Sequence, residues 1–115
     1  MPEAGPAALA LLHQAREYAH NGDAGRASSA LERAIRIEPE NPWLWHRFAV
    51  LRLQQHNWGQ ALELAGKSNT LAAGDARLQV GNWRVIAAAH EGAGHRKAAL
   101  KARLRVEELE QGQGR

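Results

Sequence analysis

The stretch LLHQAREYAHNGDAGRASSALERAIRIEP, residues 11–39, decides the architecture. Two alanine-rich runs of good helix formers flank Asn21-Gly22-Asp23. A glycine there suits the left-handed residue that closes one helix, and an aspartate after it suits the N-cap of the next. Pro39 then ends the second run, because proline removes a backbone donor and clashes with the preceding turn. The segment is therefore a helix hairpin. Its marked positions are Leu11, Ala15, Tyr18, Gly22, Ala27, Leu31, Ala34 and Pro39.

The same set returns twice. Moving 34 residues on gives Trp45, Ala49, Arg52, His56, Ala61, Ala65, Ser68 and Ala73. Moving a further 38 gives Trp83, Ala87, His90, Gly94, Ala99, Arg103, Val106 and Gln111. Alanine holds both helix-crossing places in all three copies (Ala15, Ala49, Ala87; Ala27, Ala61, Ala99). Small side chains at such places let two helices approach closely. The spacing predicts helices at Pro6–Asn21, Ala24–Glu38, Pro42–His56, Trp58–Ala72, Ala76–Glu91 and Arg96–Gln111. Asn41, Asn57 and Asp75 are the further N-caps, and Pro42 suits a first helical position. The four extra residues before the third copy amount to about one helical turn and should lengthen the fifth helix from Asp75.

The chain resembles the tetratricopeptide repeat family, whose copies carry W-x2-L-G-x2-Y…A-x3-F…P. The tryptophan place holds Leu11, Trp45 and Trp83; the leucine place holds Gln14, Phe48 and Ile86; Pro39 alone fills the proline place. Arg52, His90 and Arg103 depart from the aromatic places. The resemblance implies an all-α fold, a right-handed α-α superhelix of three tetratricopeptide-type helix hairpins. It divides the chain into a lead-in at 1–7, repeats at 8–41, 42–75 and 76–111, and a flexible tail at 112–115. All lie in one domain. Trp45, Phe48, Leu62, Trp83, Ile86, Leu100 and Leu104 are the expected central core.

In that family the first helix of each pair lines a concave groove. The resemblance thus implies a partner-binding face of Leu9, Leu12, Arg16, His20, Trp43, His46, Arg47, Val50, Leu53, Arg84, Ala88 and Glu91. Trp43, His46, Val50 and Leu53 share one helical face, distinct from Trp45 and Phe48. The lysine–asparagine clamp of the chaperone-tail binders is absent: Leu12, Arg16, Arg47, Gly81 and Val85 stand in its places. Arg16, Arg47 and Arg84 suit bidentate contact with a carboxylate. The expected partner is a protein or peptide with an acidic side chain or C-terminal carboxylate. The alternative is a self-associating, homodimeric or envelope-assembly scaffold. Its basis is Ser68–Ala89, SNTLAAGDARLQVGNWRVIAAA, which looks similar to repeat segments of bacterial envelope lipoproteins. That inclines the location to the bacterial periplasm or cell envelope, with the cytoplasm as alternative.

Composition narrows the chemistry. Among 115 residues there is no cysteine, which excludes disulfides, thiolate catalysis and zinc-thiolate sites. The net charge of +3 is mild for a nucleic-acid binder, and no aromatics interleave with the basic run Arg96–Arg105. That run leaves RNA or an anionic surface as a lesser reading. No apolar run approaches the roughly 20 residues of a membrane span. The patch Ala7–Leu12 is too short for a signal peptide, so the chain either carries no export signal or is a piece of a longer precursor. His90, Glu91 and His95 imitate a zincin helix, but five-residue spacing across two glycines breaks the required face. Ser28, Ser29, Ser68 and Thr70 show no activating arrangement. Neither a catalytic centre, a metal nor a cofactor is expected.

Overall fold

In the computed structural model, which describes residues 4–113, every helix after the first starts at or next to one of the expected turns. The helices are α1 Pro6–His20, α2 Ala24–Ile37, α3 Pro42–Gln54, α4 Trp58–Leu71, α5 Ala76–Gly92 and α6 Arg96–Gln113. Asp23, Asn41, Asn57 and Asp75 each accept a hydrogen bond from a first-turn amide, at 3.0–3.3 Å. Each satisfies one of the donors that a helix start leaves open. Pro6 and Pro42 open α1 and α3, where a missing N–H costs nothing. At 17 residues α5 exceeds the 13 of α3 by one turn. α6 continues through Gly112 and Gln113, past the expected start of the tail; Gly114 and Arg115, like Met1–Glu3 of the lead-in, lie outside the described residues.

The turn that closes the first helix of each pair is left-handed in all three copies. Gly22 and Gly94 adopt φ of 79° and 82°, and His56 adopts 60° in the equivalent place. A side chain in that region costs roughly 1–2 kcal/mol. The His56 ring stacks on the Trp58 indole at 5.0 Å between centroids, a contact that offsets part of this strain.

The fold is all-α, and its six helices pack as three hairpins, α1–α2, α3–α4 and α5–α6. All six crossing alanines are buried. Phe48 and Leu51 of α3 enter a core of Leu12, Ala15, Ala27, Ala30 and Leu31 from the first hairpin. Leu44 completes a second cluster with Ala4, Ala8, Leu11 and Ala34. Val85 and Ala89 of α5 join Ala49, Ala61 and Ala65 of the second hairpin. α4 packs along α5 over more of its length than α2 packs along α3.

Of the seven residues expected in the core only Phe48 is buried; Leu62 and Ile86 are half-buried against the cluster of Ala49, Ala61 and Val85. Trp45 is half-buried, its indole N–H donating to the Pro39 carbonyl at 2.8 Å and its ring facing the Lys67 ammonium at 5.7 Å. Trp83 is likewise half-buried. The fully covered positions are one residue earlier, at Leu44 and Asn82. Leu100 and Leu104 face outward at 54% and 49% exposure. The reason is register: α6 turns Ala99, Ala102 and Val106 inward, and a step of one residue rotates a side chain by about 100°. Small inward residues let α6 lie close on α5, and its leucines are left on the far side.

Candidate functional site in the trough between the first two hairpins

A network at the start of α3 fixes how the second hairpin meets the first. Glu38 accepts the Gly5 amide at 2.8 Å through one carboxylate oxygen and the Asn41 side-chain amide at 2.9 Å through the other. Asn41 in turn caps α3 through the Trp43 amide. The beginning of α1, the end of α2 and the beginning of α3 are thereby tied together. Beyond this tie the helices leave a trough of about 320 Å³. That volume falls at the low end for ligand sites and suits a few side chains of a guest chain.

Leu12, Ala15, Leu31 and Leu51 form the trough's apolar floor. Arg16 and His20, one turn apart on α1, stand on one side; Arg47, Val50 and Gln54 of α3 stand on the other. Arg16 and His20 are exposed and Arg47 is half-buried. An apolar floor with cationic walls favours a segment that alternates apolar and acidic side chains.

Of the residues expected to form one groove, the structure brings Leu12, Arg16, His20, Arg47 and Val50 together here. Leu9 and Leu53 are half-buried and pack against the core clusters. Arg84, Ala88 and Glu91 line a separate, shallower depression between α5 and α6. There Arg84 pairs with Glu110 at 3.1 Å and Glu91 with Arg103 at 2.9 Å. The three arginines therefore do not converge on one carboxylate. α6 reaches Arg84 with its own acid and satisfies it locally, in an exposed pair worth little to stability.

Trp43 and His46 mark the far end of the α3 face. The Trp43 ring stands edge-on to His46, 6.3 Å between centroids. His46 Nδ1 lies 2.8 Å from Asn82 Oδ1. Its ring also crosses α5 at Gly81, where a Cβ would come within 3.1 Å of it, so the glycine permits the approach. The fully buried Asn82 donates to Ser68 Oγ at 2.8 Å and Asn69 Oδ1 at 3.0 Å, and Ser68 donates to the Pro42 carbonyl at 2.8 Å. One asparagine thus links α3, α4 and α5 through side-chain hydrogen bonds. A signal for it was present: Leu78, Asn82, Val85 and Ala89 fall on one helical face, which puts an amide in an apolar stripe. Asn82→Ala should cost about 2–3 kcal/mol, because buried partners lose their bonds. Urea denaturation followed by circular dichroism checks this, and a loss under about 0.5 kcal/mol would show the network to be dispensable.

The histidine pair fares differently from its spacing. The left-handed turn at Gly94 folds His95 back on His90, with the two Nδ1 atoms 3.2 Å apart. Among the described residues no third histidine or acid joins them in a metal-binding group. No helix among them is long and apolar enough to cross a membrane.

Comparison with known proteins gives two results. Residues 18–79 match the family model described as tetratricopeptide repeat. The structure is also similar to that of the globular C-terminal domain of P. aeruginosa LpoP, with 36% sequence identity and a TM-score of 0.87, covering 90% of this chain and 97% of that one. No curated protein sequence matches the chain.

Proposed function

This chain belongs to the tetratricopeptide repeat family, and from that premise we propose that it is a non-catalytic docking domain of the bacterial cell envelope, holding a protein partner within an assembly. The observation that carries this reading is the likeness to the LpoP C-terminal domain over nearly the full length of both chains. At 36% identity the likeness reaches beyond a shared fold to a shared sequence. The resemblance of Ser68–Ala89 to repeat segments of envelope lipoproteins supports the same placement.

The geometry supports docking in the trough. An open apolar floor flanked by Arg16, His20 and Arg47 offers a guest both burial and charge. Burying guest side chains there supplies affinity at roughly 25 cal/mol per Å² of apolar surface, less the cost of ordering the segment. The arginines select for acid at the edges.

The test places a photo-crosslinking amino acid at Gln54, on the trough wall, and separately at Ser29, exposed on α2 away from it. Irradiation in living bacteria should join Gln54 to an envelope protein and leave Ser29 unjoined. An Arg16→Ala/Arg47→Ala background should reduce the Gln54 adduct by roughly tenfold or more, since each lost charged contact is worth about that factor. Equal adducts at both positions would refute the trough, and adducts only with cytoplasmic proteins would refute the envelope placement.

A further inference from the structure

We propose that the outer face of α6 is a homodimer seam, pairing with α6 of a second copy in antiparallel orientation. The last helix of a repeat stack normally ends it with a polar surface. Here two leucines sit half exposed on that surface, one turn apart, at 54% for Leu100 and 49% for Leu104. Lys97 precedes them and Glu107 follows, both exposed, with Glu107 at the rim that the outer face shares with the depression of Arg84 and Arg103. The spacing 97, 100, 104, 107 alternates steps of three and four, which is the seam of a two-helix coiled coil.

The charges choose the partner and its direction. In an antiparallel pair centred at the level of Ala102, Leu100 meets Leu104 of the second copy and Lys97 meets its Glu107. The two-fold axis repeats both layers, so four layers close: Lys–Glu, Leu–Leu, Leu–Leu, Glu–Lys. A parallel pair would set lysine against lysine and glutamate against glutamate. Glu108 is held by Arg105 at 3.0 Å, so the exposed charges left around the leucines are Lys97, Lys101 and Glu107. An anionic membrane or an acidic protein would suit the two lysines and be repelled by Glu107. A second copy, reversed, sets Lys97 on Glu107 at both ends and leaves Lys101, at the flank of the leucines, to water. Among the described residues neither Lys97 nor Glu107 is held in an ion pair within the chain, so both are free to cross.

The contact spans one 18-residue helix, about 27 Å long. Such a seam falls at the small end of specific interfaces, so the dimer is expected to be weak. It is independent of the trough, which lies at the opposite end of the stack, among α1, α2 and α3.

Sedimentation equilibrium of the 115-residue chain up to about 1 mM is the experiment. The wild type should dimerise, and Leu100→Ala/Leu104→Ala should abolish it. Lys97→Glu and Glu107→Lys should each weaken the dimer about tenfold or more, since symmetry places two like-charge layers in each variant. The double variant Lys97→Glu/Glu107→Lys should return to within about threefold of the wild type, because the pairs are restored with signs exchanged. These side chains are exposed, so circular dichroism should report the same helicity throughout. A wild type that stays monomeric, a dimer indifferent to loss of the leucines, or a double variant no better than the singles overturns the proposal.

Discussion

Phe48→Ala is expected to lower the stability of the chain by about 3–5 kcal/mol, a large share of the roughly 5–15 kcal/mol typical of a domain this size. Phe48 belongs to the second hairpin but sits in the core of the first, among Leu12, Ala15, Ala27 and Leu31. Its ring also lies 4.7 Å under the Arg52 guanidinium, which occupies the family's aromatic place in this copy. Truncation removes the largest side chain that α3 places in the first hairpin's core, where Leu51 is its only other buried contribution to that cluster. The thermal midpoint should fall by at least about 10 °C, and Phe48→Leu should recover most of the loss. A fall of less than about 3 °C would mean that the two hairpins adhere through some other contact.

The second large effect is at Leu44, which is completely buried between the hairpins. Leu44→Ala should cost about 2–5 kcal/mol. Trp45→Ala, although it deletes a larger side chain, should cost less than that. The Trp45 ring is only partly covered and its indole bond to Pro39 is at the surface, where water replaces it. Paired urea titrations of the two variants give the order directly. If Trp45→Ala proves the more damaging, the assignment of Leu44 as the junction residue is wrong.

That contrast shows what the residue pattern conveys. Hairpins, caps and crossing alanines were readable because each depends on local chemistry: Asp23 and Asn57 cap the helices they precede, and Ala15 and Ala27 face each other wherever two helices cross tightly. The rotation of each helix against its neighbour was harder to read. Helix α3 is apolar around much of its circumference, with Trp43, Leu44, Trp45, Phe48, Val50, Leu51 and Leu53 in succession, so periodicity does not single out one inward residue. The tryptophans drew the reading by size and by family position, while the contacts favour the residue one step before each. On α6 the same ambiguity assigned Leu100 and Leu104 to the core, when Ala99, Ala102 and Val106 occupy it.

The candidate site was legible in part for a related reason. Arg16, His20, Arg47 and Val50 converge because α1 and α3 hold equivalent places in successive hairpins. Arg84 holds the next such place, but the pairing that engages it comes from Glu110, 26 positions on in sequence and one helix away. No local pattern announces a contact of that kind. Asn82 was not singled out, although it is a polar residue in an apolar stripe, and its partners Ser68 and His46 come from two other helices.

The unequal fit of the helices has a mechanical corollary. The last two hairpins are bolted together by the length of α4 on α5 and by the Asn82 bonds, whereas the first is attached along a narrower strip. Local opening is therefore expected first between the first hairpin and the rest, along the same junction that forms the trough. Any chain that lodges there bridges the moving part to the fixed part, and resistance to opening rises as the logarithm of its concentration.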